Sequence, residues 1–120
     1  MKKILVVDDD PNITLTFKII LEKKAFHVDV YNDSTKAAEE FQGGVYDVAL
    51  LDIRMPKMDG FELYNEIRKK DSKVRVCFIT AFEISKDESG KPSADGLVDF
   101  IRKPVDMEEL VNRVHSLISA

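Results

Sequence analysis

Val48-Ala49-Leu50-Leu51-Asp52-Ile53-Arg54-Met55-Pro56-Lys57-Met58-Asp59-Gly60 decides the fold of this 120-residue chain. A continuous apolar run that ends on one carboxylate reads as a strand buried on both faces. The segment after it, punctuated by Pro56 and Gly60, reads as a loop. Open α/β sheets bind ligands outside the carboxyl ends of their strands. Asp52 therefore stands where chemistry is expected.

Toward the N-terminus, Lys3 to Val7 is a second apolar run, and it ends in Asp8-Asp9-Asp10. Asp10-Pro11 starts a helix, with Asp as N-cap and Pro at the first helical position. Ile13, Phe17, Ile20 and Leu21 recur on one face of it, and Lys23 and Lys24 complement its C-terminal dipole. Val28, Val30 and Tyr31 give a short strand. Ser34 is read as the N-cap of a second helix that carries Ala37, Ala38 and Phe41 and stops at Gly43-Gly44. Toward the C-terminus, Asp59-Gly60 opens a third helix with Phe61, Leu63, Tyr64 and Ile67, and with Glu66 and Lys70 as an i,i+4 pair. Val74 to Thr80 is a buried strand ending on a hydroxyl, and Val98 to Ile101 is a short fifth strand before Lys103-Pro104. Asp106 and Glu109 form a capping box for a last helix striped by Leu110, Val111, Val114, Leu117 and Ile118.

The composition sets bounds on all this. A chain of this length makes one domain, residues 1–120, with a real core. A net charge of −4 argues against a nucleic-acid-binding surface, which needs clustered Lys and Arg. The single cysteine, Cys77, lies inside an apolar run and reads as core; it suits a reducing cytoplasm. No signal peptide or membrane span is visible, so a cytoplasmic location is expected.

Strands alternate with helices, which predicts a parallel sheet with helices on both faces. All strand C-termini then share one edge. That edge carries Asp8, Asp9, Asp52, Thr80 and Lys103, five polar residues from four strand ends. Crowded carboxylates raise one another's pKa, and a divalent cation removes that cost. Hard oxygen donors suit Mg²⁺, and no Cys or His lies near these strand ends to favour zinc. A metal beside a carboxylate, a lysine and a hydroxyl describes phosphoryl transfer to the carboxylate, giving an aspartyl phosphate.

With these residues in place the sequence resembles the receiver domains of two-component response regulators, the group that includes single-domain chemotaxis receivers. The resemblance covers the whole chain and rests on ILVVDDDP at 4–11, LLDIRMPKMDG at 50–60, FITA at 78–81 and FIRKP at 100–104. It implies a flavodoxin-like, doubly wound five-stranded sheet of order 2-1-3-4-5. It also implies Asp52 as phosphoacceptor, Asp9 as direct Mg²⁺ ligand, Asp8 as the acid that reaches the metal through water, and the Arg54 carbonyl as a further ligand. Thr80 is similar to the switch hydroxyl, Lys103 to the lysine that pairs with the phosphoryl group, and Phe100 to the switch aromatic. Lys103-Pro104 is expected to be cis. The implied donor is a histidine kinase or histidine phosphotransfer protein, and the implied reader a downstream output protein or domain. The face built from the fourth helix, fifth strand and last helix reads out phosphorylation, with a homodimer through it as one use. The protein is then a switch that assists its own phosphorylation and dephosphorylation, and not a turnover enzyme.

Other readings are weaker. A haloacid-dehalogenase-like phosphatase would use Asp8 as nucleophile and Asp10 as acid, but Asn12 stands where its motif wants Thr or Val. A flavodoxin-like cofactor binder needs a neutral phosphate loop after the first strand, and three aspartates stand there. A degenerate receiver used only for docking has no support, since every site residue is present. His27 and His115 read as surface or boundary residues, the Arg68-Lys69-Lys70 run as complement to a helix dipole and not a nucleic-acid patch, and Asp10 and Asp59 as helix caps. Arg54 and Phe82 are expected to border the path of water to the phosphorus, which predicts slow self-dephosphorylation. From Glu83 to Gly96 the sequence supplies its helix poorly, because Gly90, Pro92 and Gly96 interrupt it. A short, displaced or partly disordered helix is expected there.

Overall fold

The computed structural model describes residues 1–81 and 97–119. The expectations for Phe82 and for the helix at 83–96 lie outside them. Five strands run β1 (Lys3–Val7), β2 (His27–Tyr31), β3 (Val48–Asp52), β4 (Arg75–Thr80) and β5 (Val98–Arg102). Among the described residues the helices are α1 (Pro11–Lys23), α2 (Ser34–Glu40), α3 (Gly60–Lys70) and α4 (Met107–Ser119). All strand pairs are parallel, and the order is β2-β1-β3-β4-β5.

β3 is central and buried along its whole length, which is why it reads as one apolar run. Its alternate residues feed two cores. Leu50 joins Phe17 and Leu21 of α1 with Leu110 and Val114 of α4 on one side of the sheet. Ala49 and Leu51 join Ala37 of α2 with Phe61, Leu63 and Ile67 of α3 on the other. The free thiol of Cys77 lies in the first core, where burial pushes its pKa up to about 12.

Most helix starts follow the sequence. Asp10 Oδ1 accepts from the Asn12 N–H at 2.9 Å, and Asp59 and Glu62 form a reciprocal capping box. Asp106 Oδ1 accepts from the Glu108 and Glu109 N–H groups, but the Glu109 carboxylate faces Arg113 at 3.9 Å instead of the Asp106 N–H, so only one half of the expected capping box forms. Further local expectations are corrected. The N-cap of α2 is Asp33, whose Oδ1 takes the Thr35 and Lys36 N–H groups, while Ser34 is the first helical residue and is buried. Glu66 pairs with Lys69 at 2.7 Å, one residue short of Lys70. The Lys70 ammonium instead donates to the Ala38 and Phe41 carbonyls, closing the C-terminal end of α2. That helix ends at Glu40, before the two glycines. His27 and His115 are exposed.

Candidate functional site

Parallel pairing brings the strand ends level. Val7 pairs with Leu51, Asp52 with Ile79, and Thr80 with Arg102. Asp8, Asp52 and Lys103 therefore come from the C-terminal edges of three strands, at the point where the strand order reverses on either side of β1. Asp8, Asp9 and Asp52 each offer a carboxylate oxygen within 4.8 Å of the others. Asp8 and Asp52 are buried and Asp9 is exposed, so the cluster opens outward through Asp9.

Lys103 Nζ lies 2.9 Å from Asp8 Oδ2 and 3.7 Å from Asp52 Oδ1. Its tight bond is thus to Asp8. The other Asp8 oxygen accepts from the Asp10 N–H at 2.9 Å, which fixes the carboxylate at the start of α1. Burial, then the neighbouring Asp8 charge, pushes the Asp52 pKa up to about 6, against the pull of Lys103 and of the Ile53 N–H. Gly60 permits this packing. A Cβ there would collide with the Asp52 carbonyl and lie 2.8 Å from the Ile53 Cα. The start of α3 consequently presses against the end of β3, with the Gly60 N–H donating to the Ile53 carbonyl at 2.8 Å.

The donor set is oxygen only, with no thiol or imidazole in it. That is the chemistry of a Mg²⁺ site, and a dication offsets the repulsion that raises the Asp52 pKa. Arg54 follows two residues later in the β3–α3 loop with an exposed side chain.

Thr80 is buried at the end of β4, and its carbonyl accepts from the Lys103 N–H at 2.7 Å. By strand alternation it shares a sheet face with Phe78, opposite the face of Asp8 and Asp52. Phe100 is half-buried on that same side and stacks on Phe78 with centroids 5.3 Å apart. The sequence-derived set thus falls into an acidic cluster with its lysine on one face and a hydroxyl with two aromatic rings on the other. Lys103-Pro104 is cis.

Two residues outside the expected set bond to the acid-bearing loops. Asn32 Nδ2 donates to the Asp8 carbonyl and to Thr14 Oγ1, each at 2.9 Å. Ser34 Oγ donates to the Met58 carbonyl at 2.6 Å. The sequence carries no signal for either bond, since both span loops more than 15 residues apart in the chain.

Comparisons with known proteins point the same way. A family model described as a response regulator receiver domain matches residues 4–115. The chain is 33% identical over 118 residues to the transcriptional regulatory protein RprY of Bacteroides fragilis, covering 97% of this chain and 49% of RprY. It spans about half the length of this and other curated transcriptional regulatory proteins that it matches. Response regulator TrrA of Thermotoga maritima, solved in complex with Mg²⁺-BeF, is 34% identical with a TM-score of 0.83, covering 98% of this chain and 99% of TrrA. A complex of histidine kinase ThkA with TrrA gives 34% identity and a TM-score of 0.82, with 98% of each chain covered.

Proposed function

The chain belongs to the response regulator receiver domains of two-component signal transduction, and we propose that Asp52 is its phosphoacceptor. The domain is a phosphorylation-dependent switch with Mg²⁺ as cofactor. The residue assignment is carried by one observation, the meeting of the Asp8, Asp9 and Asp52 carboxylates within 4.8 Å beside the Lys103 ammonium. In this reading Asp9 and Asp52 hold the metal directly with the Arg54 carbonyl, and Asp8 reaches it through water.

The donor is a phosphohistidine on a histidine kinase or histidine phosphotransfer protein. An Asp52 carboxylate oxygen forms a bond to phosphorus as the P–N bond to the donor imidazole breaks. The electron pair of that bond stays on the imidazole nitrogen, which takes up a proton. With a pKa of about 6, Asp52 is mostly ionised at neutral pH and is a competent nucleophile. Bound Mg²⁺ supplies Lewis-acid neutralisation of the phosphoryl oxygens. Lys103, released from Asp8, holds the same oxygens, and the Thr80 hydroxyl reaches them by moving over the sheet edge from the opposite face. Movement of Thr80 then lets Phe100 turn inward on the Phe78 face, which changes the surface that an output protein or domain reads. A homodimer is one form of that output. Water attacks the aspartyl phosphate slowly, because Arg54 beside the acceptor is not a base at neutral pH. We place the protein in the cytoplasm, where its buried Cys77 stays a thiol.

Incubation with Mg²⁺ and acetyl phosphate should add one phosphoryl group, labile to hydroxylamine, and EDTA should prevent it. Asp52→Asn should remain unlabelled. Undiminished labelling of that variant contradicts the assignment.

A further inference from the structure

A cavity of about 160 Å³ beside the acidic cluster is walled by Asp9 of the β1–α1 loop, by Asn32 to Ser34 of the β2–α2 turn and by Met55 to Lys57 of the β3–α3 loop. The β2–α2 turn holds none of the site residues assigned above, yet it ties both other loops. Asn32 grips the carbonyl of Asp8 itself. Ser34, only 2% exposed, grips the Met58 carbonyl at 2.6 Å, with the Pro56 carbonyl at 3.5 Å. The span between those two carbonyls contains Lys57 at a φ of 69°, a left-handed conformation that a residue with a side chain adopts only when its surroundings hold it.

We propose that Ser34 and Asn32 are positioning residues that set the Mg²⁺ affinity of the site, by fixing the β3–α3 and β1–α1 loops against one turn. The proposal rests on the Asp8-Asp9-Asp52 cluster being the Mg²⁺ site. Mg²⁺ demands near-ideal octahedral geometry from few protein ligands, so its affinity follows the fraction of molecules whose loops are already in place. Removing the Ser34 hydroxyl leaves a carbonyl without its donor and frees the strained turn. Removing the Asn32 amide frees the main chain between Asp8 and Asp9.

The test is a calorimetric titration of MgCl₂ into the full chain and three variants. Ser34→Ala and Asn32→Ala should each raise the dissociation constant about three- to tenfold, the scale of one lost hydrogen bond. Ala37→Gly is the control, since it weakens the same helix without touching either tie; it should lower the melting temperature and leave Mg²⁺ affinity unchanged. Unchanged affinity in Ser34→Ala and Asn32→Ala overturns the proposal, as does an equal loss in Ala37→Gly. Should Ser34→Ala not fold, Asn32→Ala, at an exposed position, decides the matter alone. A wild type that binds no Mg²⁺ removes the metal site and the brace together.

Discussion

With its side chain 8% exposed and the Asp8 carboxylate close by, Asp52 gives up hydration on folding, and its pKa rises from 3.8 to about 6. A carboxyl whose folded pKa is raised costs stability wherever the unfolded chain is ionised. Stability of the metal-free protein therefore falls as pH rises from about 4 to about 6 and then levels off. At about 1.4 kcal/mol per tenfold in proton affinity, reduced by solvent screening at the open side, the ionised Asp52 costs about 1–2 kcal/mol at neutral pH. Asp52→Asn in EDTA should melt a few degrees above the wild type at pH 7.5, and the difference should vanish near pH 4. Scanning calorimetry across that range checks both the sign and the window. The place of Asp52 at the edge of the sheet was legible from its position at the end of an apolar run. The Lys103 bond to Asp8 was not, because two carboxylates on adjacent strands compete for one ammonium, and only the packed geometry ranks them.

At the scale of elements, α1 shows what local sequence leaves open. Its start was readable from Asp10-Pro11. Its end is a Schellman motif, with the Phe26 N–H on the Leu21 carbonyl and the Ala25 N–H on the Glu22 carbonyl. That motif puts Ala25 at a φ of 67°, where glycine is the usual residue. Ala25→Gly should accordingly stabilise the protein by about 1 kcal/mol, offset in part by the added freedom of the unfolded chain; urea unfolding measures it, and a loss of stability would contradict the account. At α2 two adjacent residues, Asp33 and Ser34, are both competent caps, and a sequence cannot choose between them. The choice is made by tertiary contact, since Ser34 is needed against the Met58 carbonyl. Lys70 likewise leaves its expected partner on α3 for carbonyls at the end of α2, a neighbour 29–32 residues away.

Across the whole molecule, the parallel sheet was legible because β1, β3 and β4 are buried runs that lead into a polar residue, and helical stripes alternate with the strands. The order β2-β1-β3-β4-β5 followed from the family resemblance carried by four motifs, and the register then brings their polar ends together. The site is a property of that assembly: no single element carries more than one of its strand ends. In the proposed site proton and metal compete for the Asp52 carboxylate, so the rise in melting temperature on adding Mg²⁺ should be large at pH 7.5 and shrink below pH 6. A rise that is independent of pH would place the ion elsewhere. The central claim is that the phosphoryl group is carried by Asp52, and reductive mapping tests it most directly. Protein phosphorylated with acetyl phosphate and Mg²⁺ is reduced with borohydride, which converts an aspartyl phosphate to homoserine, and is then sequenced by mass spectrometry. The account predicts homoserine at position 52 and aspartate retained at positions 8 and 9; homoserine at position 8 or 9, with Asp52 intact, would contradict it.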